Sequence, residues 1–266
     1  MTNALAVVTG ASSGIGWEMG KQLAARGYDL LLVARREDRL RGLASQIESQ
    51  GPVRADILRL DLAAQEARQQ LIAKIGLERD RFHLLINNAG FGAVKPAVDV
   101  PPARSLEMIQ LNVSALTELS LEAAKILMKK RSGAIINVAS TAAFQAVPYM
   151  SVYAATKAYV LSFTEGLAEE LHGSGVRVMA LCPGYTRTEF QEVAGEPAES
   201  MRRRHMMSAE DCVRIGLNDF DAGKRISVTG TLNKLQIFAS WLAPRSIVVR
   251  SAALVVKSRI GKRTEH

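Results

Sequence analysis

Cysteine is scarce in this chain of 266 residues. Only Cys182 and Cys212 occur, too few for a disulfide framework and without metal-ligand spacing, so the expectation is a reduced, cytoplasmic protein with no metal site. Histidine is scattered at His83, His172, His205 and His266, in no triad or metal pattern. No apolar run reaches the roughly 18 residues needed to span a bilayer. The first strand is expected to begin at Leu5, which leaves no room for a signal peptide. Acidic residues are missing in one place. From Gly223 onward nine basic residues face Glu265 alone, while Met1 to Ala222 carries 25 of each sign. The net charge of +8 therefore belongs wholly to the tail. A basic tail on a neutral body gives no nucleic-acid footprint, and no nucleic-acid partner is expected.

What the chain does have is alternation. Apolar, β-branched runs ("LAVVT", "DLLLVA", "ILRLDL", "FHLLIN", "GAIINVAS", "GVRVMALC", "RISVTG") alternate with helical segments near 14–26, 36–50, 63–78, 102–131, 151–173 and 208–221. Strands without polar alternation are buried on both faces, and repeated strand-then-helix signals a parallel, doubly wound α/β sheet. A single Rossmann domain is expected over 1–230, with seven parallel strands in the order 3-2-1-4-5-6-7 flanked by helices. Its crossover between strands 1 and 4 opens a ligand crevice. A basic, apolar helical extension follows over 231–266.

In "VVTGASSGIG" Gly10, Gly14 and Gly16, with Ser12, Ser13 and Ile15, join the first strand to the first helix. Glycines there let the backbone turn tightly and approach a pyrophosphate at the helix N-terminus. Taken alone, the stretch serves equally as a structural turn. In "SVYAATKAYV" Tyr153 and Lys157 are four apart, on one helix face. A neighbouring ammonium would lower the pKa of a phenol that otherwise titrates near 10. The competing reading is a half-exposed helix face, but "INVAS" brings Ser140 to a strand end beside that helix.

Together with "NNAG" (Asn87–Gly90), "LNVSA" with Asn112 and "CPGYTRTEF", these motifs resemble the short-chain dehydrogenase/reductase family, in its order and near its spacing from about residue 5 to about residue 230. The resemblance implies that Tyr153 is the acid–base, Ser140 positions the substrate oxygen, and Lys157 lowers the tyrosine pKa and binds the nicotinamide ribose. Asn112 would help hold a water that links Lys157 to solvent. Asn88, Ala89 and Gly90 would line the cofactor, Asp61 and Leu62 would border the adenine, and Pro183, Gly184, Thr186 and Thr188 would hold the carboxamide. "NNAG" taken singly is also a plain strand-ending turn, and Asp61 a helix cap.

The second strand of such a unit usually ends in an acid that grips the ribose 2′-hydroxyl. Here Arg35 takes that place and Arg36 follows. Arginine attracts a 2′-phosphate that an acid would repel, so NADP(H) is the expected cofactor. The competing reading is a pair of solvated arginines, although a cation at a helix start gains nothing from the helix dipole.

The stretch 189–208, "EFQEVAGEPAESMRRRHMMS", falls where this family has its substrate lid, and Tyr149 and Met150 could face it. The expected activity is NADP(H)-dependent interconversion of a small-molecule carbonyl and a secondary alcohol, its substrate unnamed and lipophilic in character. The alternative is a non-catalytic dinucleotide-binding or membrane-associated scaffold. For the tail two readings stay open: interfacial helices on an anionic inner-membrane surface, or packing on the domain or on a partner subunit of a homodimer or homotetramer.

Overall fold

A computed structural model describes residues 3–196 and 206–260. The main sheet contains β1 (Leu5–Thr9), β2 (Asp29–Ala34), β3 (Ala55–Arg59), β4 (Phe82–Asn87), β5 (Gly133–Val138), β6 (Val176–Cys182) and β9 (Ile226–Val228). They run parallel in the order β3-β2-β1-β4-β5-β6-β9, the topology expected from the alternation of strands and helices. The helices are α1 (Gly14–Ala24), α2 (Glu37–Glu48), α3 (Gln65–Leu77), α4 (Pro102–Ile109), α5 (Leu116–Lys130), α6 (Ser151–Glu170), the single turn α7 (Phe190–Val193), α8 (Ala209–Asp221), α9 (Thr231–Leu242) and α10 (Arg245–Ile260).

Successive strand residues point to opposite faces, and both faces are covered, which is why the strands are continuously apolar. Ala6, Val8, Leu30, Leu32 and Ile136 meet Met19, Leu23, Leu40, Leu43, Val213 and Leu217 of α1, α2 and α8. On the other face Val7, Leu31, Val33, Leu85 and Ile135 meet Leu71, Leu119, Leu127 and Leu167 of α3, α5 and α6. These two cores fix the strand ends, and the candidate site lies along the C-terminal ends.

Three local expectations change. "ILRLDL" forms strand only to Arg59: the chain turns at Asp61, whose Oδ1 accepts a hydrogen bond from the Ala63 N–H at 3.1 Å. The helix expected over 102–131 is interrupted by a π turn, Gln110–Ala115, drawn around the buried side chain of Asn112. A short parallel pair, β7 (Thr186–Arg187) and β8 (Met207–Ser208), clips the two ends of the lid segment together. Of the lid expected over 189–208, residues 197–205 lie outside the described residues.

Candidate active site

The glycine turn is built so closely that no side chain fits. Gly10 has φ +66°, and a Cβ on Gly16 would lie 2.2 Å from the Gly10 carbonyl oxygen. Asn88 acts as a strut between strand ends, its Nδ2 donating to the carbonyls of Thr9 at 3.0 Å and Gly10 at 3.2 Å. Thr9 Oγ1 accepts from the N–H groups of Asn88 and Ala89 at 2.9 and 3.0 Å. At the start of α1, Ser13 makes no side-chain cap and the first turn carries no acid. Those uncapped N–H groups, beside glycines, fit a pyrophosphate.

The two arginines after β2 part company. Arg36 turns to the glycine turn, its Nε and Nη2 donating to Ser12 Oγ at 3.3 and 3.2 Å. Arg35 turns to the far side, with Nη1 3.7 Å from Asp61 and 3.9 Å from Glu107. Sequence reasoning missed two charged neighbours here. Glu189 stands 2.7 Å from Arg36 and 2.8 Å from Arg39. Burial pushes the Glu189 carboxyl up, but the arginines and the Ser13 hydroxyl bring it below the usual carboxylate range.

Ser140 lies two residues past β5 and caps a 3-10 turn, Thr141–Phe144, with the Ala142 N–H donating to its Oγ at 3.1 Å. Tyr153 and Lys157 lie one turn apart on α6, only 8% and 5% exposed. Lys157 Nζ donates to the Val138 carbonyl at 2.7 Å and stands 5.8 Å from the centre of the Tyr153 ring. Burial pushes the Tyr153 hydroxyl up to about 12, opposed by its hydrogen bond to Ser140. Burial likewise pushes Lys157 down to about 8. Burial outweighs that hydrogen bond, and Tyr153 is a neutral phenol at pH 7.

Asn112 is fully buried. Its Oδ1 accepts from the Phe91 N–H at 3.1 Å, and its Nδ2 donates to the Phe91 carbonyl at 2.9 Å and to Thr156 Oγ1 at 3.1 Å. Its side chain therefore clamps the loop after β4 to α6, and Gly90 leaves it room: a Cβ there would lie 2.9 Å from Asn112 Oδ1 and 3.6 Å from Lys157 Nζ. Below lies a buried polar cluster the sequence reading did not single out. Asn87 Nδ2 donates to Asn137 Oδ1 and Ser120 Oγ, both at 3.0 Å, and Asn137 Nδ2 donates to Thr164 Oγ1 at 3.0 Å. The available signal was an asparagine inside each of two apolar strands, which the sheet places side by side.

Past β6 the Thr141 N–H donates to the Pro183 carbonyl at 2.9 Å, and the Gly184 N–H donates to Thr229 Oγ1 at 3.2 Å. Thr186 Oγ1 donates to the Gly184 carbonyl at 3.1 Å, and Thr188 packs against Gly14. Opposite is an apolar wall of Phe91, Val94, Met108, Met150, Ala194 and Val256 around Tyr153. The Phe190 ring stands 5.2 Å from that of Tyr153, and Tyr149 turns the chain into α6 with φ +67°. The tail is part of this wall. Val256 of α10 is 2% exposed, and Asn233 of α9 presses on Gly184. One face of the tail thus packs on its own domain, while Leu232, Leu235, Leu242 and Leu254 face outward. Among the described residues no helix is long and apolar enough to cross a membrane. Burial pushes the thiols of Cys182 and Cys212 up to about 12 and about 11, so neither is a ready nucleophile.

Comparison with known proteins agrees with this geometry. A family model described as short chain dehydrogenase matches residues 4–199. A short chain dehydrogenase of Pseudocercospora fijiensis is 34% identical over 187 residues, 70% of this chain but only 60% of that protein. Sulfoacetaldehyde reductase 2 of Chromohalobacter salexigens is 35% identical over 218 residues, 79% of this chain and 86% of the relative. Among solved structures, a short-chain dehydrogenase from Sphingobium yanoikuyae in complex with NADPH superposes with a TM-score of 0.82 at 31% identity, covering 99% of this chain and 98% of that one. The chain belongs to the short-chain dehydrogenase/reductase family and is an oxidoreductase with a Rossmann fold.

Proposed function

We propose that this protein interconverts a lipophilic carbonyl compound and its secondary alcohol with NADP(H) as cofactor. The observation that carries the reading is the buried Ser140–Tyr153–Lys157 group, set between the glycine turn and an apolar wall. The residues fit a dinucleotide: the uncapped start of α1 takes the pyrophosphate, and Asn88 to Gly90 with Pro183, Gly184, Thr186 and Thr188 line the way to the catalytic tyrosine. Arg36, already turned to Ser12, takes the 2′-phosphate, with Arg35 and Asp61 towards the adenine, beside Leu62. Bound nicotinamide supplies the hydride.

The chain supplies orientation and a proton. Ser140 Oγ donates a hydrogen bond to the carbonyl oxygen and fixes it beside Tyr153 Oη. Tyr153, a neutral phenol, gives that oxygen its proton in reduction and takes it back in oxidation. Lys157, held by the Val138 carbonyl, places positive charge where the phenolate forms. Asn112 holds the loop after β4 against the catalytic helix. The Chromohalobacter relative, named a sulfoacetaldehyde reductase, supports carbonyl chemistry, and the NADPH in the Sphingobium structure supports the cofactor.

The test is a panel of aldehydes and ketones, including long-chain 3-oxo compounds, followed by NADPH absorbance. Turnover with NADPH well above that with NADH is expected. Cofactor binding without turnover of any member would favour the scaffold reading instead.

A further inference from the structure

Glu189 has no place in the proposed chemistry, yet it is held by two arginines in the crevice. It leaves the lid segment two residues after β7 and crosses to the opposite wall, where one carboxylate oxygen meets Arg36 at 2.7 Å and the other meets Arg39 at 2.8 Å. Arg39 also lies over the Trp17 ring, 5.7 Å from its centre, which fixes the guanidinium on the α1 side. The Arg36 guanidinium that Glu189 engages is the one that also donates to Ser12 of the glycine turn. A carboxylate and a phosphate ester ask for the same forked donors.

We infer that Glu189 is a built-in competitor for the 2′-phosphate: its carboxylate and the phosphate of the cofactor contend for Arg36 and Arg39, so Glu189 sets how strongly the protein distinguishes NADP(H) from NAD(H). The inference rests on the proposed NADP(H) reading only in naming the phosphate. Two consequences follow from position. Arg39 is a third cation of the phosphate subsite, one helical turn beyond the pair at the strand end, which spacing along the sequence alone did not select. And because the ring of Phe190, the next residue, stands tilted 5.2 Å from that of Tyr153, a phosphate that displaces Glu189 also loosens a residue packed beside the catalytic tyrosine.

The experiment measures binding of two fragments, adenosine 2′,5′-bisphosphate and adenosine 5′-monophosphate, to the full chain by calorimetry. Their affinity ratio in the wild type tests the cofactor reading by itself. Glu189→Gln keeps the shape and removes the charge, and it should raise that ratio about threefold to tenfold, with little change for the monophosphate. Arg39→Gln should lower the ratio by a similar factor. An unchanged or lower ratio in Glu189→Gln overturns the inference even if the wild type prefers the bisphosphate. A wild type without preference whose Glu189→Gln variant gains one would refute NADP(H) specificity and leave the competitor role standing.

Discussion

Around Gly10, Gly16 and Asn88 the crevice wall is made of backbone, with an amide strut between the ends of β1 and β4, and a single added carbon would meet a carbonyl oxygen at 2.2 Å. Around Phe190, Met108, Met150 and Val256 the facing wall is made of side-chain tips from a lid turn, a helix before a π turn, a loop and the tail. Both walls line the crevice, but they fail differently. Backbone cannot repack, so the first wall holds one shape of ligand; methionines and an aromatic pair can repack, so the second can accept a range. A constant cofactor and a variable substrate need that division.

Five substitutions break or sharpen the contrast. The largest effect belongs to the group between the walls. Tyr153→Phe should lower kcat by about 10²- to 10⁴-fold while NADPH affinity, read by fluorescence titration, stays within about twofold. Retention of most turnover would remove Tyr153 from the proton-transfer role.

Next comes the pH dependence of stability set by Lys157. The folded chain releases this proton near pH 8 and the unfolded chain near 10.5, so between them the unfolded state holds more protons and stability rises with pH. The gain is about 3 kcal/mol across the window. Above pH 10 Tyr153 acts in the opposite sense, because the folded chain keeps its proton to about 12. Denaturant titrations at stepped pH should show the rise in wild type and its loss in Lys157→Met.

On the backbone wall, Arg36→Gln should weaken NADPH about tenfold to a hundredfold and NADH far less, the change expected when a charged hydrogen-bond donor is lost. Arg35→Asp should also select against NADPH. Because Arg35 faces Asp61 and Glu107, its loss should cost less than that of Arg36. Equal losses for both cofactors would show that the arginines are merely solvated. On the side-chain wall, Val256→Ala should raise KM for a bulky ketone about fivefold and leave NADPH affinity alone, consistent with a small cavity opened far from the glycine turn. A fall in cofactor affinity instead would show that the two walls are not independent.

The backbone wall and the group beside it were legible in the sequence because they demand particular residues in line: glycines where no Cβ fits, an asparagine after β4, and a tyrosine and lysine one turn apart. Strand order followed from the same local signals. The side-chain wall was not legible. Val256 reaches Tyr153 only because α9 and α10 fold back over the domain, and nothing in "LVVKSR" distinguishes a docked valine from an exposed one. The pairing of Glu189 with Arg39 escaped for a related reason, since 150 residues separate them and nothing in "CPGYTRTEF" says which cation its glutamate meets. Burial of the phenol, the largest influence on its pKa here, is likewise invisible along a sequence.

The π turn at Gln110–Ala115 has a consequence for chain length. A π turn accommodates one residue more than the α-helix it interrupts, and each residue of an α-helix turns the chain by about 100°. The wider turn absorbs that surplus residue, which would otherwise rotate α5 by this angle relative to α4. Deleting one residue between 110 and 115 would take the surplus away, and α4 and α5 would run on as one α-helix. The widened turn from which the Asn112 amide reaches the Phe91 backbone would close, and that clamp would be lost. The chain keeps a residue that the helix alone does not need, because the clamp needs it.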